Sequence, residues 1–480
     1  MSKVAGLESL AQKVPSGATI AIGGFQLNRV PIALVNAIAA GEHTNFKAIS
    51  APNPLALEIL AAAGCLRSAE CGFIGFQYEY GFVIAPAVRH AMATGKLDLR
   101  QPDVYHTIRS LRSERDDGKE VADFALLHAQ QADRTGNLFI DDPYVDVLLA
   151  EASGRVLATA ETLVDRIDKP TIPAARVQQI ALAKNGAAPT SCLGHYGRDA
   201  LGVRQHIGET VVSRPDSTPS QTRAIDNFLI NLARQVNDNE VIVTGLASAI
   251  PMLAIELARR TSAPELKYIN CIGAVNPRIE KGFHTSVEAE LRNHCDDTIE
   301  LPDLFDLARD GGVDTMFFGA AQIDRQGNIN LSRIGPESNP KVRLAGPAGS
   351  PSMRSYIRRV LITVPRQLRR NLVECVDIET SGPASCNKET ILVTDAAIWQ
   401  LKDNGFEPAS MHEGISKEDL LSRTGFDFQC NSPSVTPPAT QLELSTLRTI
   451  DPAGIRYKLF SETPQPTDRL TTTERMTYER

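Results

Sequence analysis

The chain has 480 residues, of which 42% are hydrophobic, so it is long and apolar enough to bury two sizeable cores. Its formal net charge of −7 argues against nucleic acid or an anionic membrane surface as the main partner. No apolar run approaches the ~20 residues of a membrane span, and the N-terminus has no apolar secretory core. The eight cysteines form no CxxC pair. We therefore expect a soluble, cytoplasmic protein with reduced thiols and no metal site.

The first half opens with an amphipathic helix and continues as strands alternating with helices. A short apolar strand is followed by the turn Gly23-Gly24-Phe25 and a helical stretch at 30–40, after which a second apolar run spans 46–50. This order predicts a βαβ unit with parallel strands. Glycines in such a turn allow close backbone approach, and the next helix N-terminus offers amide donors. The three turn residues are therefore candidates for oxyanion or substrate binding; the alternative is that they serve only the turn geometry.

A motif that occurs twice is the most informative feature of the chain. It reads DFALLHAQQADRTGN at 123–137 and DTMFFGAAQIDRQGN at 314–328. The ending Asp-Arg-x-Gly-Asn is typical of a hairpin turn, in which Gly-Asn takes up positive φ angles. Gln131 and Gln322 precede these turns at equivalent positions and are candidate ligand contacts. A second, weaker sequence repeat lies upstream, in the strand, turn and helix that open each half. Two repeats in the same order predict a duplicated unit, with a site where the two copies pack together.

The second half repeats the opening pattern with an apolar run at 241–245, a helix at 251–260 and another run at 266–270. The continued alternation predicts two related open α/β domains that arose from a duplication. A polar, proline-containing stretch separates the halves, and the end of the chain lacks apolar periodicity. The predicted organisation is a first domain at 1–212, a linker at 213–225, a second domain at 226–460 and a disordered tail at 461–480.

A segment rich in small residues, KVRLAGPAGSPSM, spans 341–353. Gly346 and Gly349 are candidates for oxyanion or substrate binding, and Lys341 and Arg343 for the phosphate groups of a coenzyme. The alternative is a tight crossing between the two domains. Neither glycine belongs to a Walker loop and no GxGxxG follows the first strand, so nucleotide hydrolysis and NAD binding are disfavoured.

Several longer motifs extend these signals. They are GATIAIGGFQLNRVP and LLHAQQADRTGN in the first half, and VTGLASAIP, FFGAAQIDRQGNIN, PKVRLAGPAGS and TGFDF in the second. With these motifs the chain resembles the family I CoA-transferases, in particular the glutaconate CoA-transferase branch, with its alpha-like and beta-like halves fused. The resemblance covers 5–210 and 226–460. It implies an enzyme that binds an acyl-CoA substrate, holds no other tightly bound cofactor and forms a homo-oligomer.

The chain departs from this family at one position. In the glutaconate branch the resemblance implies a catalytic glutamate, on Glu-x-Gly, after the strand that follows the first helix of the second half. Here that strand is LKYIN and the next residues are Cys271-Ile272-Gly273, so Cys271 occupies the glutamate's position. A thiol that attacks a thioester forms another thioester, which does not easily activate a free acid. CoA transfer would need another carboxylate, for which Glu79 in GFQYEYG is the candidate.

This substitution favours a decarboxylase that acts on an unsaturated dicarboxylic acyl-CoA of the glutaconyl type. Loss of CO2 leaves a dienolate whose charge lies on the thioester oxygen. A neutral Cys271 removes a repelling carboxylate and leaves a drier pocket, and a thiol with a reference pKa near ~8.5 is a candidate to return the proton. The alternatives are a CoA-transferase, a carbon–carbon hydrolase of a cyclic acyl-CoA, and an acyl-CoA binder without catalysis.

Overall fold

The computed structural model describes most of the chain, in six stretches: residues 2–78, 81–208, 219–279, 283, 285–430 and 433–460. Three parts that the sequence singled out therefore lie wholly or partly outside the described residues. They are the candidate nucleophile Glu79, residues 209–218 of the inter-domain region, and the predicted tail at 461–480.

A parallel sheet forms the centre of the first half. The strands of this half are β1 (Thr19–Ile22), β2 (Phe46–Ser50), β3 (Leu66–Cys71), β4 (Gly75–Tyr78), β5 (Gly81–Ile84), β6 (Asp98–Arg100), β7 (Ala122–Asp133), β8 (Leu138–Phe139), β9 (Ser153–Val164) and β10 (Val177–Leu182). The helices are α1 (Leu7–Ala11), α2 (Ile32–Ala39), α3 (Pro54–Ala62), α4 (Pro86–Ala93), α5 (Val104–Asp116), α6 (Asp146–Glu151) and α7 (Ala200–His206). The sheet order is β10-β9-β7-β1-β2-β3-β6, all parallel, with β8 antiparallel to β7.

The second half contains a larger, mixed sheet. Its strands are β11 (Val241–Thr244), β12 (Lys267–Asn270), β13 (Ala274–Val275), β14 (Asp297–Thr298), β15 (Thr315–Gly319), β16 (Gln322–Asp324), β17 (Ile329–Asn330), β18 (Arg333–Ile334), β19 (Val342–Arg343), β20 (Arg359–Val364), β21 (Leu372–Val373), β22 (Glu389–Thr394), β23 (Ala397–Lys402), β24 (Gly405–Met411) and β25 (Ser434–Val435). The helices are α8 (Pro219–Ala233), α9 (Ala249–Thr261), α10 (Leu301–Arg309), α11 (Ser350–Arg354), α12 (Lys417–Arg423), α13 (Gln441–Ile450) and α14 (Ile455–Phe460), with a 3₁₀ turn at Ala289–His294.

The two sheets share a common order at their centres. In the first half the neighbouring strands are β2-β1-β7-β9-β10, and in the second they are β12-β11-β15-β20-β22, parallel in both cases. These central strands are apolar because parallel sheets with helices on both faces are buried on both sides. The shared order confirms the predicted α/β class and the predicted duplication.

The repeated motif forms the same turn in each half. The carboxylate of Asp133 accepts hydrogen bonds from the backbone of Thr135, Gly136 and Asn137, and β7 then returns as β8. Asp324 accepts from the backbone of Asn328 in the same way, between β16 and β17. An aspartate that binds the amides beyond it closes a tight turn without outside help. The interpretation of Asp-Arg-x-Gly-Asn as a hairpin turn is confirmed, but of the expected positive φ angles only those of Gly136 and Gly327 are found, and not those of Asn137 and Asn328.

Helix α8 begins at Pro219, so residues 219–225 of the predicted linker are helical. The reason is an apolar stripe at helical spacing, made by Ile225, Phe228 and Leu232, all of which are buried. Polar residues at the start of the stripe hide this signal when the sequence is read for composition alone.

The two halves meet over a continuous apolar interface. The largest cluster of buried side chains combines first-half residues such as Phe25 and Tyr105 with much of the second half. The segment from 345 to 352 is held against the first half by backbone hydrogen bonds, for example from Ala348 N to Gly72 O at 2.9 Å and from Val104 N to Ala348 O at 2.8 Å. No helix in the parts of the chain that the structure describes is both long and apolar enough to cross a membrane.

Candidate functional site

A cavity of about 380 Å³ lies between the halves, where the parallel strands end. Phe25 follows β1, Pro52 follows β2, and Cys271 follows β12, and each of them lines the cavity. Residues 245–248, which follow β11, line it as well. Open parallel sheets place their ligand sites beyond the carboxyl ends of the strands. The duplication therefore brings two such edges together around one cavity.

The cavity wall is mostly apolar. Aromatic side chains contribute much of it, from both halves: Phe25, Phe73, Phe82, Phe228, Phe305, Phe317 and Phe318. The side chains with a polar atom are Thr244, Ser248, Cys271, Ser350 and Thr363. Within the described lining, no residue carries a carboxylate, an amine, a guanidinium or an imidazole. Such a wall suits an acyl chain and disfavours an ionised group inside it.

Cys271 is the ionisable side chain in this lining. Only 8% of it is exposed, and burial raises its pKa to about 12. Desolvation has this effect because a low-dielectric site disfavours the charged thiolate. The side chain is therefore a neutral thiol over the whole neutral pH range, and it is suited to donate a proton rather than to attack as a thiolate.

The turn that carries Cys271 depends on Gly273, which has φ +79°. An added Cβ there would overlap the carbonyl oxygen of Ile299, whose own N–H donates to Gly273 O at 2.8 Å. Gly273 N in turn donates to Asn270 O at 2.9 Å. The glycine of the Cys-x-Gly motif is thus required by backbone conformation and by close packing.

The turn Gly23-Gly24-Phe25 does not offer the expected oxyanion donors. Gly23 N donates to Leu126 O at 3.0 Å, Gly24 N to Asp146 Oδ1 at 2.8 Å, and Phe25 N to Asn28 O at 3.0 Å. Only Phe25 of the three belongs to the cavity lining. The two glycines are there because a Cβ would meet neighbouring atoms, and Gly24 has φ +77°. The geometry therefore supports the alternative that Gly23 and Gly24 serve only the conformation of the turn.

A buried ion network fixes this first-half turn. Arg29 is fully buried and donates to Asp142 Oδ1 and to Asp146 Oδ2, each at 2.7 Å. Asp146 is the same residue that accepts from Gly24 N. Buried charges are tolerated when each is paired and hydrogen-bonded. Beyond the turn, the ring of Phe25 stacks on Tyr144 at a centroid distance of 5.3 Å, which holds it against the cavity.

Gly346 and Gly349 both line the cavity and also make a tight crossing. A Cβ on Gly346 would overlap Gln101 of the first half, and one on Gly349 would lie 2.5 Å from the ring of Phe305. Gly346 N donates to Leu331 O at 3.0 Å, so it is not available as an oxyanion donor. Gly349 caps the N-terminus of α11 and stays a candidate.

The two candidate glutamines lie elsewhere. Gln322 is buried and fully engaged, since its Nε2 donates to Asp377 at 2.8 Å and its Oε1 accepts from Asn330 at 2.7 Å. Gln131 is half-buried on β7, opposite Phe139 of β8. Neither lines the cavity. Their repetition in the sequence reflects the repeated hairpin rather than a shared ligand.

Lys341 and Arg343 lie on the β18–β19 hairpin, beside the cavity. Leu331 and Leu344, which flank this hairpin, line the cavity wall. Arg343 is directly opposite Arg333 across the two strands. Like charges in this position repel each other unless an anion lies near them, and the exposed carboxylate of Glu337, 3.7 Å from Arg333 Nη2, supplies one anion on the Arg333 side. Arg333 was not among the residues that the sequence pointed to, because its partnership with Arg343 depends on the strand register.

A group of potential metal ligands occurs in the first half, away from the cavity lining. His128, Glu161 and Cys192 are buried, and one ligand atom from each lies within 4.8 Å of the others. Glu161 Oε1 accepts from His128 Nε2 at 2.9 Å and from Tyr196 Oη at 2.5 Å, and Oε2 accepts from Asn185 N at 2.8 Å, so both oxygens already have donors. Hydrogen bonding within the group accounts for its burial.

The loop at 245–248, with the start of α9, is a part of the site that sequence reasoning missed. Ser248, Ile250 and Pro251 line the cavity at the N-terminus of this 13-residue helix. A usable signal was present, because the upstream repeat matches the glycine that follows β11, Gly245, to the glycine turn that follows β1. The second-half counterpart of the Gly23-Gly24-Phe25 turn is the one that lines the cavity over its whole length, at residues 245–248.

Two related α/β domains thus enclose an apolar cavity where the ends of their parallel strands face each other. The model of the coenzyme A transferase family matches residues 6–107 and 228–421. The chain belongs to this family, and membership supports an enzyme that acts on acyl-CoA.

Curated relatives match one half of the chain. It is 29% identical over 235 residues to one subunit of the 3-oxoadipate CoA-transferase of Pseudomonas knackmussii, a match that covers 46% of this chain and 89% of the relative. It is 24% identical over 219 residues to one subunit of the glutaconate CoA-transferase of Acidaminococcus fermentans, covering 42% and 81%. These matches agree with a resemblance to the glutaconate branch.

Among solved structures, the acyl-CoA transferase YdiF of E. coli O157:H7, in a thioester complex with CoA, has a TM-score of 0.66. The match covers 91% of this chain and 94% of YdiF at 15% identity, and it shows the shared two-domain fold. The decarboxylase AibA/AibB is 36% identical over a match that covers 50% of this chain and 99% of that chain, with a TM-score of 0.47.

Proposed function

We propose that the protein decarboxylates an unsaturated dicarboxylic acyl-CoA of the glutaconyl type. The observation that carries the proposal is the neutral, buried thiol of Cys271 in a cavity whose described lining contains no carboxylate. An anhydride-forming CoA transfer needs a carboxylate at the thioester carbonyl. A decarboxylation needs a dry site, a place for the charge that develops, and a proton donor.

The reaction divides into two steps. The bond between the distal carboxylate and carbon breaks, CO2 leaves, and the electron pair delocalises through the double bond onto the thioester oxygen as a dienolate. The S–H bond of Cys271 then breaks as a C–H bond forms on the dienolate, and the resulting thiolate takes its proton back from water. With a pKa of about 12, this thiol is protonated at the start of every cycle.

Two features favour the loss of CO2. The aromatic and aliphatic wall solvates a carboxylate poorly, which raises the energy of the dicarboxylic substrate relative to the delocalised dienolate. The N-terminus of α9 faces the cavity, and the first amides of a helix have no partner within it. Pro251 has no N–H and Ser248 N donates to Ser286 Oγ at 3.0 Å, so we assign the dienolate oxygen to the amides of Ala249 and Ile250, with Gly349 N as a further donor. Each well-placed donor is worth ~3 kcal/mol.

Coenzyme A would enter as part of the substrate, with its phosphates on the β18–β19 hairpin. Arg343→Ala and Lys341→Ala are expected to raise KM for the acyl-CoA roughly tenfold each, as for one lost charge-assisted hydrogen bond. Steady-state kinetics with the acyl-CoA and with the matching acyl-pantetheine, which lacks phosphates, measures this. Lys184→Ala, an exposed first-half lysine outside the lining, is the control. An equal effect on the pantetheine ester would contradict the assignment.

The proposed function is tested directly by incubating the protein with glutaconyl-CoA. We expect release of CO2 and formation of the monocarboxylic enoyl-CoA, with no need for an acceptor acid. Unchanged glutaconyl-CoA, together with CoA esters formed from added acids, would instead establish CoA transfer. In that case Glu79 is the first residue to substitute, because it lies in sequence just before β5, which contributes Phe82 and Ile84 to the cavity wall.

Two further outcomes would also overturn decarboxylation. Incorporation of oxygen from labelled water into a ring-opened product would favour a carbon–carbon hydrolase acting on a cyclic acyl-CoA. Tight binding of CoA esters without turnover of any thioester would favour a non-catalytic binder.

A further inference from the structure

The turn that presents Cys271 is held from outside by one arginine. Arg292 Nη1 donates to the carbonyl of Ile272, the residue next to Cys271, at 2.7 Å. The arginine lies on the 3₁₀ turn Ala289–His294, and only 5% of its side chain is exposed. A buried guanidinium with a fixed fork is a rigid support for the carbonyl that it binds.

The same guanidinium reaches the opposite wall of the cavity. Arg292 Nη2 pairs with Glu300 Oε1 at 2.7 Å, and Glu300 Oε2 accepts from Tyr144 N in the first half at 3.0 Å. The arginine also lies over the ring of Tyr144, 5.7 Å from its centroid. Tyr144 stacks on Phe25, which lines the cavity from the half opposite to that of Cys271. One side chain therefore contacts the supports of both walls.

Tyr144 has a backbone conformation that makes this link specific. Its φ is +48°, which is rare for a bulky residue and is kept only where the surroundings impose it. The hydrogen bond from Tyr144 N to Glu300 and the contact with Arg292 are part of those surroundings. The first-half wall is thus set by contacts from the second half.

We infer that Arg292 is a positioning residue: it fixes the Cys271 thiol relative to Phe25 and so sets the geometry of proton return at the seam of the two halves. The catalytic part of this inference rests on the proposed function. The geometric part does not, because the reactivity of Cys271 can be followed without any substrate.

The test is Arg292→Ala, with kcat and KM for CO2 release measured side by side. We expect kcat to fall by roughly 10- to 100-fold, because a misplacement of about 1 Å at a reacting group has an effect of this size. KM is expected to change much less, since the acyl and CoA contacts lie elsewhere. Arg292→Lys keeps the charge but offers its donors from a single nitrogen, so it cannot hold Ile272 O and Glu300 Oε1 in the same forked geometry and should stay impaired. Added ethylguanidinium should restore part of the rate in the alanine variant and have no effect on the lysine variant.

The readout that does not depend on activity is alkylation of Cys271 by iodoacetamide, followed by peptide mass mapping. Arg292→Ala should speed alkylation of Cys271 several-fold, while Cys71, buried in the first half, stays as slow as in the parent. Arg278→Ala is the matched control, because Arg278 is exposed and lies 3.9 Å from its partner Asp296. It should leave both measurements unchanged.

The outcomes separate the two ideas. If Arg292→Ala speeds alkylation of Cys271 but the parent protein releases no CO2, the proposed function is wrong and the positioning role stands. Normal kcat with unchanged alkylation, or equal acceleration at Cys71, would overturn the positioning role. If Arg292→Ala does not fold, Arg292→Lys and Glu300→Gln are measured in the same way, with the same expected direction.

Discussion

Replacement of Cys271 by alanine is expected to lower kcat for CO2 release by roughly 100-fold, the usual contribution of a general acid. KM for the acyl-CoA should stay within about threefold, since one methyl-sized change in the wall has a small effect on binding. The physical reason is that the proposed mechanism takes the returning proton from the thiol of Cys271, which lines the cavity. Cys71→Ala, a buried thiol outside the lining, is the matched control. An alanine variant with full kcat would remove the thiol from the mechanism.

Replacement of Cys271 by glutamate is expected to produce CoA transfer at the expense of decarboxylation. It restores the carboxylate that the family resemblance implies at this position, and that carboxylate can form an anhydride. Burial will raise its pKa, as it raises that of the buried Glu58 in this protein to about 7. Transfer activity should therefore increase with pH through the neutral range, as the carboxyl ionises. If the glutamate variant gains no CoA transfer at any pH, then residues besides Cys271 prevent CoA transfer in this protein.

The pH dependence of the parent enzyme follows from the same thiol. Burial raises the pKa of Cys271 to about 12, so its acid form is fully present below that value and is lost only as the pH rises through it. The kcat for CO2 release should therefore show no decline attributable to this group between about pH 6 and 9, well below the raised pKa. A decline with a midpoint near the ~8.5 of a free thiol would contradict a buried donor.

The second large effect is expected at Gly273. Gly273→Ala should cost more than about 4 kcal/mol of unfolding free energy, or prevent folding, because the new Cβ overlaps Ile299 O and the residue has φ +79°. Gly311→Ala is the matched control: Gly311 has φ +81° but no atom within 4 Å of the added Cβ. It should cost only about 1 kcal/mol, the backbone effect by itself. Urea unfolding of both variants measures the difference.

Equal costs in the two variants would show that the turn after Cys271 relaxes without loss. In that case the thiol would not be held in one place, and its role as a directed proton donor would lose its structural support. A larger cost for Gly273→Ala than for Gly311→Ala would instead explain why position 273 requires a glycine, whichever side chain occupies position 271.

The amino-acid sequence by itself determined the duplication and the class of fold. The motif at 123–137 returns at 314–328, and the two copies lie on or after equivalent central strands, β7 and β15. Strand periodicity, the Asp-x-x-Gly-Asn turn and the order of elements are local signals, which is why they could be read without a structure. The resemblance to the glutaconate branch, which places a glutamate after the corresponding strand, pointed to Cys271, and this residue lines the cavity.

Only the tertiary structure decided what each candidate does. Gly23 and Gly24 looked suited to an oxyanion, but Leu126 and Asp146, far along the chain, already accept from their amides. Arg292 belongs to no motif, and its role exists only because packing brings it against Ile272 and Tyr144. Whether a donor is free and which residues face a cavity depend on partners distant in sequence, and those partners are set by the packing of the two halves.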